Sequence, residues 1–419
     1  MNGIPDMRAG WTIGVFFAAS SALAWGAIQP ASSAWPQAEI TLNTARDINA
    51  AAAQFPNSSG MQRRRLGAAL ESGDKAGALD ATRRLAAMGA ALSPASRARV
   101  GEFIGAAAMA SLSARFDANI APVGTSTLYT TVPASHRLIE GLMWDSRAKR
   151  LYAASVVDRR LLALTPPNGA SVAAAGDFGS LFGGAYDPAR GKIWIASAAI
   201  EQTPKNVPVF TGLVVVDVRG KAAPVAIPAP AGANATLGDV AVAADGTVYA
   251  SDGLKGGIYR CRRGCATLET FIAPGRFFSS QGMVLSKDQK WLYVADYRYG
   301  LAAVDRASGS IRRIAGDDTM MLDGIDALVG YKSDLIAIQN GVGPIRIVRL
   351  HLSEAGDRVE KLDVLERGNP AWGEPSLGVV VGNQLLYVAD PQWDRYGDGG
   401  AATSDKPARP TPIRSLRLR

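Results

Sequence analysis

The sequence predicts an all-β chain, a six-bladed β-propeller with an N-terminal signal segment and a short α-helical region. Three observations predict it. One pattern recurs six times after about residue 125: a small or Gly-containing start, a short apolar strand, a polar turn, then an apolar-aromatic-x-Ala-Ser/Asp run. Glu140-Gly141-Leu142-Met143-Trp144 leads to Leu151-Tyr152-Ala153-Ala154-Ser155, and Gln281-Gly282-Met283-Val284-Leu285 leads to Leu292-Tyr293-Val294-Ala295-Asp296. The second residues of the later runs are Tyr152, Trp194, Tyr249, Tyr293, Ile336 and Tyr387. They fall roughly 40–55 residues apart, the length of a four-stranded blade. Finally, the sixth copy lacks outer strands of its own. Residues 413–418 read as its third strand, and residues 125–132, ahead of the first copy, as its fourth, which would close the ring without an open sheet edge.

Three segments follow in chain order: residues 1–34 as a signal peptide or anchor, 35–118 as an Ala-rich helical segment, and 119–419 as the propeller. Arg8, an apolar run over residues 11–28 and the small residues Ser32-Ser33-Ala34 make the pattern of a secretory signal. The run is long enough to stay as an anchor if it is not cut. Either way the chain is periplasmic or secreted, and any membrane attachment runs through an uncleaved N-terminal segment. Residues 38–115 hold three or four short helices, with Ser72-Gly73-Asp74 as a turn and Ser93-Pro94 as a helix start. Their reading is a spacer or a cap packed on the propeller, with a partner-binding helical repeat as the alternative. Cys261 and Cys265 bracket a turn between two strand-like runs. They form a disulfide, as an oxidising compartment allows, or stay as two thiols.

Composition narrows the chemistry. His136 and His351 are the only histidines, so a triad or a multi-His zinc site must use them. No G-x-S-x-G, P-loop or H-E-x-x-H motif is present. The net charge of +8 is scattered, without aromatics interleaved among the basic residues, which argues against nucleic acid as a partner.

Aligning the six starts on their Gly or its equivalent puts Glu140, Phe182, Gly238, Gln281, Asp323 and Pro375 in one column around the channel axis. Glu140, Gln281 and Asp323 would then converge, with Asp239 and Glu374 one residue off the column. Two carboxylates and an amide oxygen are hard ligands suited to Ca²⁺ or another divalent cation. Polar residues at strand starts also commonly bond unpaired backbone amides, which is the structural alternative. His136 lies four residues before Glu140, near the channel mouth. Trp393 and Asp394 fall in a long loop that either walls the pocket or packs over a blade edge.

On Glu140-Gly141-x-x-Trp144, Gln281-Gly282 before its Leu-Tyr-Val-Ala-Asp strand, and Asp323-Gly324, residues 125–418 resemble the regucalcin–gluconolactonase family, with paraoxonase-like lactonases as more distant relatives. The resemblance implies one divalent ion, usually Ca²⁺, at the channel end. The family's Glu falls on Glu140 and its Asp on Asp323, the latter also a general base. The family's two Asn ligands fall on Gln281 and Gly238, so one is altered and one is lost, with Asp239 as a substitute. Catalysis would rest on Asp323 and Glu140, and metal binding on Glu140, Gln281, Asp323 and Asp239. The expected function is an exported metal-dependent hydrolase of a small-molecule lactone or similar ester. The alternative is a non-catalytic periplasmic binding propeller with a degenerate metal site, which would present loops or its helical segment to a protein, glycan or small ligand.

Overall fold

A computed structural model describes residues 32–36, 40–220 and 222–418. The proposed signal or anchor run, residues 11–28, lies outside the described residues. Among the described residues the chain is a six-bladed β-propeller with five α-helices ahead of it.

Each blade is an antiparallel sheet of four strands laid down from the axis outwards. Blade one is Ile139–Asp145, Arg150–Ser155, Arg160–Thr165 and Gly169–Ala174. Blade two runs from Ser180–Asp187 to Val225–Pro228, and blade three from Leu237–Val242 to Glu269–Ile272. Blade four runs from Ser280–Leu285 to Ile311–Ile314, and blade five from Ile325–Tyr331 to Val359–Arg367. Each innermost strand touches the innermost strands of the blades on either side, and blade six meets blade one. Apolar side chains on both faces of these strands form the cores between neighbouring blades, such as Leu301, Leu328, Val348 and Leu350 between blades four and five.

The ring closes as its ends predict. Gly378–Val381, Gln384–Val388 and Thr411–Arg417 make the first three strands of blade six, and Thr127–Val132 pairs antiparallel with Thr411–Arg417 as the fourth. Ser32–Ala34 adds a fifth strand to the outer edge of blade four. Trp35 follows it into an aromatic pocket of Phe55, Phe277 and Tyr299, where its indole N–H donates to the Arg276 carbonyl at 2.8 Å. Cys261 and Cys265 are joined by a disulfide at the end of the third strand of blade three.

The helices are α1 (Ala45–Gln54), α2 (Ser59–Ser72), α3 (Lys75–Ala87), α4 (Pro94–Ile104) and α5 (Ala106–Ile120). Local chemistry sets their ends. Gly73 stops α2 in the left-handed region that favours glycine, and Asp74 caps α3 by accepting from Gly77 N. Ser93 caps α4 with Pro94 in its first turn. The helices are not a free spacer, because Leu66, Ala81, Leu85, Val100 and Phe116 of α2 to α5 share one core with Met321 and Val342 of the propeller, and Ala51 and Ala52 of α1 join another with Met283 and Tyr299. No described helix is long and apolar enough to cross a membrane.

Candidate functional site

In blades one to five the innermost strand is broken at one height by a bulge. The interruptions fall between Ile139 and Gly141, Leu181 and Gly184, Leu237 and Val240, Ser280 and Met283, and Ile325 and Ala327. A bulge frees one or two residues from the ladder and re-aims their side chains. The pairing with the second strand fixes the equivalences. Met143 pairs with Tyr152, Val284 with Tyr293 and Val329 with Ile336, so Glu140, Gln281 and Asp326 hold the same position.

This register corrects the expectation for blade five, where Asp326 stands in the column and Asp323 does not. Asp323 precedes the strand, and its Oδ2 accepts from Gly60 N at 2.8 Å and Ser59 Oγ at 3.0 Å, at the start of α2. It therefore serves as a hydrogen-bond acceptor at a helix N-terminus. Burial pushes its carboxyl pKa up, and the donors from Gly60 and Ser59 oppose that shift.

Glu140, Asp326 and Glu374 form an acidic corner drawn from blades one and five and from the loop entering blade six. Burial drives the Glu140 carboxyl well above the usual carboxylate range, and the charges of Asp326 and Glu374 add to this. The Trp393 indole N–H donates to Glu140 Oε2 at 2.9 Å and partly offsets it. Burial likewise pushes Asp326 up to about 6, with Glu374 adding and the Asn340 amide opposing. Asn340 Nδ2 donates to Asp326 Oδ2 at 2.7 Å and to the Pro375 carbonyl at 3.1 Å, while its Oδ1 accepts from Tyr297 OH at 2.9 Å. Asp326 keeps some accessible surface although protein surrounds it.

Asp239 lies one residue beyond the column and behaves differently. Its Oδ2 accepts from Met283 N at 3.1 Å, a backbone amide on the innermost strand of the next blade. This is the structural use of a polar residue at a strand start. Burial raises its carboxyl to about 7, against hydrogen bonds from Val240 and Met283, with Asp326 a smaller upward cause. A raised carboxyl pKa means the folded state holds the proton more tightly than the unfolded chain does. Its contribution to stability is full below about pH 4 and is lost as pH climbs through about 7. Asp239→Asn keeps an acceptor for Met283 and removes the charge. It is expected to raise stability at pH 8 by roughly 1–2 kcal/mol and to change little at pH 4, read from urea midpoints at both pH values.

A channel of about 380 Å³ runs along the axis, lined by the innermost strands of all six blades, with Asp239, Met143, Met283, Ala327 and Leu377 on its wall. Gln281 belongs to the column, and its Nε2 donates to Ser279 Oγ at 2.8 Å. Phe182, Gly238 and Pro375 complete the ring without an acidic or amide side chain. Trp393 reaches Glu140 from its loop and also packs against the apolar cluster that holds Phe182, Trp194 and Leu237. His136 does not join the acids: its backbone N–H bonds Pro133 O and its Nδ1 is buried without a hydrogen-bond partner. His351 sits on the third strand of blade five, between Asp334 at 3.0 Å and Asp363 at 2.9 Å.

Glu140, Asp326 and Gln281 offer the hard oxygens that Ca²⁺ takes, and carboxyls whose charged forms are disfavoured by burial and by neighbouring carboxylates gain from a cation. Among the described residues no three His, Cys, Asp or Glu side chains are grouped to hold an ion by themselves. An ion here would rest on two carboxylates, the amide and water.

Sequence reading missed Asp326, Asn340 and Tyr297. Asp326 was visible in Asp323-Gly324-Ile325-Asp326-Ala327, but aligning on Gly324 put Asp323 in its place.

No family model matches the sequence, and no curated protein matches it. Solved structures similar to this chain include a gluconolactonase from Xanthomonas campestris, at 16% identity and a TM-score of 0.45 over 71% of this chain and 99% of that one. Regucalcin from Agrobacterium tumefaciens, described as a calcium-binding protein, is 15% identical with a TM-score of 0.47 over 72% and 98%. The PQQ-bound aldose sugar dehydrogenase of Streptomyces coelicolor is 15% identical with a TM-score of 0.46 over 71% and 99%. Propellers of this shape carry different chemistries, so the likeness is one of architecture and function has to be argued from the site.

Proposed function

We propose that the chain is an exported hydrolase of a small lactone or similar ester, acting at the Glu140, Asp326 and Glu374 corner. One observation carries the reading: carboxyls from blades one and five occupy the same bulge position, and burial raises both pKa values, with the charge of Asp326 adding at Glu140 and that of Glu374 adding at both. Groups of this kind exchange protons near neutral pH, as acid–base catalysis requires.

Asp326, ionised at neutral pH, takes a proton from water as the water oxygen bonds the carbonyl carbon. Glu140, kept protonated by burial, donates to the carbonyl and then gives its proton to the leaving oxygen as the carbon–oxygen bond breaks. The product is a hydroxy acid, or an acid and an alcohol, and the proton on Asp326 returns to Glu140 through water. Trp393 and Asn340 hold the two carboxyls in place. When bound by Glu140, Asp326 and Gln281, a Ca²⁺ would supply Lewis-acid polarisation of the carbonyl.

A panel of aliphatic and sugar lactones, assayed with and without EDTA, tests the reading, and no turnover of any member by the folded wild type would sink it. A second reading is a binding propeller without catalysis, favoured by Phe182, Gly238 and Pro375, which leave half the ring without a ligand side chain. Export is proposed from Arg8 and the apolar run of residues 11–28; Ser32–Ala34, the end of the expected 1–34 segment, instead pairs with the outer edge of blade four. Intact mass of the protein recovered from the periplasm, matching a chain that has lost its leader, supports it, and a cytoplasmic full-length product contradicts it.

A further inference from the structure

We propose that Asp323 is a positioning residue through which the docked helices hold the Asn340 loop, and with it the acidic corner. The inference rests on the placement of that corner and not on the reaction carried out there.

Asp323 works in two directions. Its side chain receives the start of α2 through Gly60 N and Ser59 Oγ. Its backbone carbonyl accepts from Gln339 Nε2 at 2.7 Å. Gln339 ends the second strand of blade five and also donates to the Met321 carbonyl at 3.1 Å. Its Oε1 accepts from Arg346 Nε at 2.7 Å, and Arg346 is itself buried. Asn340, the next residue, is the one that grips Asp326.

The loop after Asn340 lies between helices and channel. Ala91 N donates to the Gly343 carbonyl at 2.7 Å, and Arg63 Nη2 donates to the Ala91 carbonyl at 2.8 Å. Val342 packs into the helical core. Gly341 N bonds the Gly324 carbonyl, and Gly324 N bonds the Tyr297 carbonyl. Tyr297 then returns to Asn340 through its hydroxyl. There is no slack, because a Cβ on Gly341 would meet the Tyr297 ring at 2.3 Å and one on Gly324 would meet Val342 at 2.4 Å. Such a packed and hydrogen-bonded run passes a displacement on rather than absorbing it. Releasing α2 frees Val342 and Gly343, and so loosens the amide that orients Asp326.

The test compares full-length wild type, Asp323→Ala and Asp323→Asn by hydrogen exchange, together with the ¹⁵N-indole resonance of Trp393, which reports on Glu140 at the far side of the corner. In Asp323→Ala, amides 341–343 are expected to exchange at least about tenfold faster, together with those at the start of α2, and the Trp393 indole signal to shift. Asp323→Asn keeps an acceptor oxygen for Gly60 and is expected to restore most of both readouts. Faster exchange confined to the helices, with amides 341–343 and the indole signal unchanged, would overturn the proposal and leave Asp323 a docking residue only. If Asp323→Ala does not fold, Ser59→Ala with Asn57→Ala weakens the same docking from the helical side, and the same two outcomes decide.

Discussion

Glu366→Ala is expected to destabilise the whole propeller by about 3 kcal/mol or more, because it leaves several buried donors without their acceptor. Glu366 is wholly buried on the outermost strand of blade five, Val359–Arg367. Its Oε1 accepts from Ser126 N at 2.7 Å, Ser126 Oγ at 2.8 Å and Asn369 Nδ2 at 2.7 Å. Its Oε2 accepts from Tyr387 OH at 2.9 Å, which in turn accepts from the Trp372 indole at 2.7 Å. Ser126 leads directly into the closing strand Thr127–Val132, and Arg414 of the partner strand donates to Ser126 Oγ at 2.7 Å. One carboxylate thus ties blade five to both chain ends that close blade six. Burial, then the charge of Glu366, hold the Tyr387 hydroxyl well above its usual pKa, so it remains a donor throughout the ordinary pH range. Urea unfolding reads the effect as a lowered midpoint. Glu366→Gln keeps an acceptor and is expected to cost less, and a midpoint unmoved by the alanine change would show that ring closure does not depend on this network.

Glu140→Gln and Asp326→Asn are each expected to lower lactone or ester hydrolysis by about 10²–10⁴-fold, the usual worth of a positioned acid or base. Asp323→Asn is expected to cost less than about tenfold, since its amide still accepts from Gly60. The pH profile follows from the directions of the shifts. Activity should rise through about pH 6 as Asp326 loses its proton, then fall at higher pH as Glu140 loses the proton it must donate. An Asp323 variant as dead as the Asp326 variant, with the Asp326 variant active, would return the base to Asp323 and contradict the register of blade five.

Why the sequence disclosed the ring but misplaced one acid follows from what each glycine does. The blades were legible because apolar-aromatic-x-Ala-Ser/Asp runs, kept in four blades and varied in blades three and five, mark second strands that pack between neighbours. The closure was legible because blade six ran out of strands before the chain ended. The helix boundaries at Gly73 and Ser93 carry their own capping chemistry. The acid of blade five was not, because the same dipeptide serves two purposes. Gly141 and Gly282 sit in the bulges, where a Cβ would meet Phe182 O at 2.2 Å and Leu328 N at 2.4 Å. Gly324 instead turns the chain at φ +64 beside Val342. At the true equivalent of Gly141, blade five carries Ala327, so an alignment on glycine slides by three residues and picks up Asp323. Asn340 and Trp393 escape sequence reading for another reason: each reaches the corner from a loop whose path is set by packing far from it in the chain.

The coupling between Glu140 and Asp326 is the centre of the account, and carboxyl ¹³C NMR titration of the EDTA-treated protein tests it most directly. The expected result is that Asp326 titrates near 6, that Glu140 titrates well above the usual carboxylate range, and that Asp326→Asn moves Glu140 downward while Asp323→Asn leaves it in place. Ordinary titration of both groups near pH 4, or a Glu140 indifferent to Asp326→Asn, would contradict the acidic corner.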